Sequence, residues 1–151
     1  MRTNYFGSVW CLRAFLPALE EAAPSHVVNV VSVAGTVAFP PSGPYSASKH
    51  AQLAFSRATS AALRGRGISV HTVNPGFVET EGFPQRSVFP RRMHAVIAEP
   101  EDVARAVLGA VDHNRREVYV PRYYRLATLA QALFPGSVAR TAASGRLKKP
   151  A

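Results

Sequence analysis

Tyr45 and Lys49 stand four residues apart, a spacing at which a helix brings two side chains to one face a turn apart, so that a phenol gains an ammonium neighbour. The chemistry open to such a pair is proton transfer. A phenol ordinarily ionises near pH 10, about 3 units above neutrality, and a fixed cation close by favours the phenolate. A bare Tyr-x-x-x-Lys also describes a helix surface with a solvated lysine, and that plain reading stands until other residues are added. Composition adds the first, because Lys49 is the only lysine before position 148 in a chain otherwise supplied with arginine. The ammonium is a compact point charge that a planar guanidinium does not replace where space is tight. Ser32 is the second. It follows an apolar run in Asn29-Val30-Val31-Ser32-Val33-Ala34-Gly35, thirteen residues before Tyr45, at the kind of strand end where open α/β sheets place ligands. Taken alone, such a serine is as readily a turn residue.

The elements that must position these groups follow from the periodicity. Residues 4–22 read as a helix, with Phe6, Val9, Cys11, Leu12, Phe15, Leu16 and Leu19 on one broad face and Pro17 predicting a kink or short break. The valine-rich run 26–31 predicts a parallel strand covered on both faces. After the turn-rich Phe39-Pro40-Pro41-Ser42-Gly43, Pro44 suits the first position of a helix over 44–63, ended by Gly65 and Gly67. A second strand over 68–73 closes on Asn74-Pro75-Gly76, and a helix over 100–113 leads to a third strand over 118–120. This alternation of helix and strand is that of an α/β sandwich with a parallel sheet. Segment 79–99 has no clear period and carries Phe83, Phe89, Met93 and Ile97, which predicts a lid or binding loop. Leu126, Leu129 and Leu133 predict one stripe of a short amphipathic helix stopped by Pro135-Gly136, and the last ten residues read as frayed.

With 151 residues, 47% hydrophobic and 18% charged, the chain has the composition of one folded domain. That domain is assigned to residues 1–122 and a basic tail to 123–151. The net charge of +9 raises nucleic acid and anionic lipid as partners. Arg122, Arg125, Arg140, Arg146, Lys148 and Lys149 all follow the last acidic residue, Glu117, and read as a solvated tail. No nucleic-acid partner is expected, and at most weak membrane-surface contact through the tail. Cys11 has no intrachain partner, and His26, His50, His71, His94 and His113 lack ligand spacing, so no disulfide and no metal site are expected. There is no apolar run of about 18 residues and no signal-peptide pattern, which leaves the cytoplasm as the expected location. No Gly-x-Ser-x-Gly elbow supports a serine hydrolase.

Together, Ser32, the run Tyr45-Ser46-Ala47-Ser48-Lys49 and the run Asn74-Pro75-Gly76-Phe77-Val78-Glu79-Thr80 resemble the short-chain dehydrogenase/reductase family. Asn4, in Asn4-Tyr5-Phe6-Gly7, matches that family's helix motif, and the likeness extends to about Arg122 in order and spacing. The resemblance implies the C-terminal part of a Rossmann-type doubly wound parallel sheet. It also implies an NAD(P)-dependent oxidoreductase that interconverts an alcohol and a ketone. Tyr45 would be the acid/base and Ser32 would hold the substrate oxygen. Lys49 would bind the nicotinamide ribose hydroxyls and acidify Tyr45, facing the cleft rather than the core. Asn4 would position a water of the proton relay, while Pro75, Gly76, Val78 and Thr80 would line the nicotinamide. The partners implied are a small-molecule alcohol or ketone and a second copy of the chain. The copy would meet helices 4–22 and 44–63, where Ala47, Ala51, Ala54, Ala58 and Ala62 offer a small-residue face.

Two features depart from the family pattern. Val31 stands where the family often has a second serine, which leaves the catalytic position intact. No glycine-rich turn between a strand and a helix occurs, so the pyrophosphate cradle and the residue choosing NAD or NADP are not in this sequence. The N-terminal glycine-rich half is therefore expected to be absent, with the 26–31 strand left as an unpaired apolar edge. The alternative reading is a truncated, non-catalytic relative that serves as a partner subunit or persists as a fragment.

Overall fold

Val27 and Val28, and likewise Val70 and Val73, point to opposite faces of one sheet and so to two helical layers, by the alternation of an extended chain. The computed structural model describes residues 1–38 and 42–143. From the start, a π-helical turn (Arg2–Phe6) runs into α1 (Gly7–Glu21), followed by β1 (Ser25–Val30), a 3-10 turn (Val33–Gly35) and α2 (Gly43–Ala62). Next come a 3-10 turn (Arg64–Arg66), β2 (Ile68–Pro75), β3 (Phe77–Val78), α3 (Gln85–Val88) and a 3-10 segment (Arg91–Val96). The remainder is β4 (Ile97–Ala98), α4 (Pro100–Asp112), β5 (Glu117–Val120), α5 (Tyr124–Leu133) and α6 (Pro135–Ala143).

β1, β2 and β5 form a parallel sheet in the order β1-β2-β5, with Val30 opposite Val73 and Pro75 opposite Val120. On one face Val27, Ile68 and Val70 pack with Leu63 and with Leu12, Leu16 and Leu19 of α1. On the other, Val28, Val73, Val118 and Val120 pack with Val103, Ala106 and Val107 of α4. Helices thus cover both sides of a parallel sheet, as the alternation predicts. Farther along the α2 side the contacts turn polar. Asn29 Nδ2 donates to Ser56 Oγ at 2.9 Å, and Ser56 and Thr72 hydroxyls meet at 2.7 Å, all close to the strand ends. Such directional bonds set the register of α2 on the sheet, which a greasy contact alone would leave free to slide.

Several local expectations change. The opening helix begins as a π turn that contains Asn4, and Pro17 lies inside α1 without ending it. The broad apolar face of α1 is split: Leu12, Leu16 and Leu19 reach the core, while Phe6, Cys11 and Phe15 are exposed, as is Trp10. β1 lies at an edge of the sheet, as expected for this apolar run, but Val30 is exposed, so it is not covered on both faces along its whole length. Segment 79–99 is not a plain loop, because β3 and β4 pair in parallel around α3 and the 3-10 turn. The helix carrying Leu126, Leu129 and Leu133 does end before Pro135, as expected, but Pro135 then opens a further helix, α6, at a position where a missing N–H and a fixed φ cost nothing. Leu126, Leu129 and Leu133 do form a stripe on α5, but it points to solvent, while Thr128 turns inward to meet Thr36 at 2.9 Å. His26 and His71, remote in sequence, stack with Nδ1 and Nε2 at 3.0 Å. The turn-rich residues 39–41 and the last eight residues lie outside the described residues. No helix among the described residues is long and apolar enough to cross a membrane.

Candidate active site

The C-terminal ends of the parallel strands carry the polar groups singled out in the sequence. Ser32 follows β1 and caps the 3-10 turn, accepting from Ala34 N at 3.1 Å. Its hydroxyl donates to the Pro75 carbonyl at 3.4 Å, a distance at the weak end for such a bond, so its proton is available to a better acceptor. The turn lies hard against α2. A Cβ on Gly35 would sit 2.8 Å from the Lys49 carbonyl oxygen and 3.0 Å from Val31 Cγ1, so only glycine permits this approach.

Tyr45 occupies the first turn of α2 with 44% of its surface exposed, and Lys49 lies one turn on with its Nζ 6.0 Å from the Tyr45 ring centroid. The expectation that Lys49 faces the cleft is corrected here. Lys49 is 9% exposed and lies beneath the site, donating to Gln52 Oε1 at 2.8 Å and to the Val30 carbonyl at 3.2 Å. Burial pushes its ammonium below the usual lysine value. Two of its three donors are engaged, which leaves one for a ligand. Asn4 stands back as well. Its Nδ2 donates to Ser48 Oγ at 3.0 Å, and Ser48 donates to the Tyr45 carbonyl at 2.7 Å, so the π turn is tied to the first turn of α2.

Ser32, Tyr45, Pro75, Gly76, Val78 and Thr80 line one cleft of about 670 Å³, together with Val31, Phe83, Gln85, Phe89 and Tyr124. Of the residues that the family resemblance implies, Ser32, Tyr45, Pro75, Gly76, Val78 and Thr80 are therefore brought together on the cleft wall, and Lys49 and Asn4 are not among its lining. Phe83 and Phe89 of the expected lid segment do border the cleft, and Phe89 packs on Phe77 with ring centroids 4.7 Å apart. Ile97 is instead buried in β4.

Three participants were not foreseen. Tyr124 lies over Gly76, where an added Cβ would come within 2.1 Å of its ring, and burial pushes its phenol up to about 12. It stays protonated and donates a long 3.5 Å bond to the Val96 carbonyl. Nothing in the sequence links it to Gly76, since the approach is made only because β5 lies beside β2 and α5, which follows it, begins next to Gly76. Gln85 is buried and donates to the Phe83 carbonyl at 3.3 Å. Gln52 was legible in principle, because it stands three residues after Lys49 and so shares its helix face.

The short chain dehydrogenase family profile matches residues 1–88. A dehydrogenase/reductase SDR family member 7C-B from Danio rerio is 32% identical over 143 residues, covering 89% of this chain and 45% of the relative. A 17-beta-hydroxysteroid dehydrogenase 13 from Rattus norvegicus is 32% identical over 141 residues, with the same 89% and 45% covered. Among solved structures, a short chain dehydrogenase from Burkholderia cenocepacia J2315 in complex with NADP superposes with a TM-score of 0.77 at 31% identity, over 91% of this chain and 57% of that one. The chain thus spans about half the length of the relatives it matches. From the profile match over more than half of its residues, together with the parallel sheet and the strand-end cleft, this chain belongs to the short chain dehydrogenase family.

Proposed function

We propose that this chain carries the proton-transfer half of an NAD(P)-dependent oxidoreductase that interconverts an alcohol and a ketone. The observation that carries the reading is the placement of the Tyr45 phenol and the Ser32 hydroxyl on the wall of one strand-end cleft, with a buried ammonium beneath. In the reducing direction Tyr45 gives its proton to the carbonyl oxygen, and in the oxidising direction it takes the proton of the alcohol. Ser32 donates to the same oxygen, exchanging its long bond to Pro75 for a better one. Lys49, with its Nζ 6.0 Å from the Tyr45 ring centroid, offers its third N–H to a ribose hydroxyl. Asn4, held by Ser48, fixes the π turn beside that helix and serves the proton relay.

The residues present fit the nicotinamide end of the cofactor. Val31, Pro75 and Val78 give the cleft an apolar wall, Gly76 and Thr80 border it, and the spare donor of Lys49 lies below. When bound, the nicotinamide supplies or accepts the hydride. Phe83, Phe89 and Tyr124 on the outer wall favour an apolar substrate body.

The test is hydride transfer followed by nicotinamide absorbance over a panel of apolar alcohols and ketones, using the full gene product. Replacing Tyr45 by Phe removes the acid and is expected to lower kcat by about 100-fold or more. A Tyr45→Phe protein within a few-fold of the parental rate would overturn the assignment.

A further inference from the structure

Gln52 is a buried amide for which the proton-transfer reading has no task. It is 7% exposed, one turn after Lys49, and its neighbours dictate its orientation. An ammonium offers only donors, so Oε1 faces Nζ at 2.8 Å and Nε2 donates to Ser8 Oγ at 3.0 Å. Ser8 in turn donates to the Asn4 carbonyl at 2.9 Å. The bonds run in one direction, from Lys49 through Gln52 and Ser8 to Asn4, and they link α2 to α1 and to the π turn before it. The chain of bonds ends on the carbonyl of Asn4, in the middle of that π turn.

We propose that Gln52, braced by Ser8, is a positioning residue that holds the Lys49 ammonium beneath Tyr45 and ties it to the Asn4 turn. The proposal rests on the reading of Tyr45 and Lys49 as the proton-transfer pair. Lys49 forms no ion pair among the described residues, so its charged form depends on neutral acceptors. Those are Gln52 at 2.8 Å from α2 and the Val30 carbonyl at 3.2 Å from β1, the first being the shorter. On the α1 side stand the neutral Asn4 and Ser8, with Tyr5 in the same turn packed edge-on against Phe55. The titratable neighbours on α2 are Tyr45 itself, its ring centroid 6.0 Å away, and His50, whose Nδ1 is engaged with the Ser46 carbonyl at 2.8 Å. Removing the Gln52 oxygen therefore takes the better of two acceptors from a buried cation. The ammonium must then neutralise at lower pH or swing toward Val30.

Lysine stands only at 49, 148 and 149 of these 151 residues, and under lysine-selective isotope labelling the Lys49 signal is identified by its loss in Lys49→Arg and titrated directly by NMR. Gln52→Met is nearly isosteric and lacks the oxygen, whereas Gln52→Glu keeps an oxygen and loses the N–H to Ser8. The Lys49 midpoint should fall by about one pH unit in Gln52→Met, the scale of one hydrogen bond to a charged group. It should return to the parental position or above in Gln52→Glu, and fall by a smaller amount in Ser8→Ala. The alkaline limb of kcat/KM should follow the same order. If Gln52→Met fails to fold, Ser8→Ala and Gln52→Glu still decide the matter. A Lys49 midpoint that stays at the parental position in the folded variants overturns the proposal, and so does a Gln52→Glu midpoint that falls. If the midpoints move as expected but the parent transfers no hydride, the proposed function fails and the hold of Gln52 on Lys49 stands.

Discussion

Gly35→Ala tests whether the contact between the Ser32 turn and α2 sets the geometry of the site. The new methyl would sit 2.8 Å from the Lys49 carbonyl oxygen, against ordinary contacts of 3.4–4 Å, and 3.0 Å from Val31 Cγ1. Both obstacles are close-packed, and the nearer one is helix backbone that no rotamer change can move aside. The φ of Gly35 is not in the left-handed region, so the cost comes from contact and not from backbone strain. Overpacking of this kind costs about 2 kcal/mol, which for a domain of this size lowers Tm by about 4–8 °C. Gly109→Ala is the matched control: it lies inside α4 with nothing within 4 Å of the added Cβ, and should stabilise by about 0.5–1 kcal/mol through helix propensity. Thermal unfolding by circular dichroism separates the two, and the rate assay adds a second reading. Because the push is against the carbonyl of Lys49 itself, the turn must move away from α2 and carry Ser32 from Tyr45, so kcat should fall along with Tm. A Gly35→Ala protein that melts within about 1 °C of the parent would refute the reasoning, because the close approach would then be absent in solution.

Two other outcomes follow from the geometry. Burial would raise the Glu117 carboxyl, but its bonds from Arg57 at 2.7 Å and Tyr119 at 2.6 Å outweigh burial and hold it below its ordinary value near 4.5. Its stabilisation is therefore full above about pH 4.5 and lost as pH falls through the depressed value. With Arg57 52% exposed, solvent screening limits the effect to about 1 kcal/mol, so Glu117→Gln should melt lower than the parent at neutral pH and converge with it in acid. A gap that widens in acid would contradict the sign. Lys49→Arg should lower kcat/KM by at least about 100-fold, or roughly 2.7 kcal/mol, because the planar guanidinium cannot reproduce the 2.8 and 3.2 Å contacts of a buried ammonium tip. It should also cost about 1–3 kcal/mol of stability through overpacking, since the side chain lies beneath the cleft. Near-parental rates in steady-state assays would remove the special role of this lysine.

Periodicity determined, from the sequence alone, the alternation of helices and parallel strands, while the motifs carried a resemblance that pointed to the family and to a set of residues most of which line one cleft. The reason is that those features are local: a period of two or of 3.6 residues is written within one element, and Ser32, Tyr45 and Pro75 each sit at the end of an element whose direction the parallel order sets. What the tertiary structure alone decided is which surfaces meet. The family resemblance implies that Lys49 faces the cleft, but Gln52 and the Val30 carbonyl hold its ammonium in a buried position. The apolar stripe of α5 predicts inward packing, yet the inward side is chosen by Tyr124 over Gly76 and by Thr128 against Thr36, which turns the leucines outward. Gly35 reads as part of a motif, and its necessity appears only when the Lys49 carbonyl is found where a side chain would be. Contacts between residues far apart in the chain leave no period behind them, so amphipathic stripes show that an element has a buried side without showing what will lie against it.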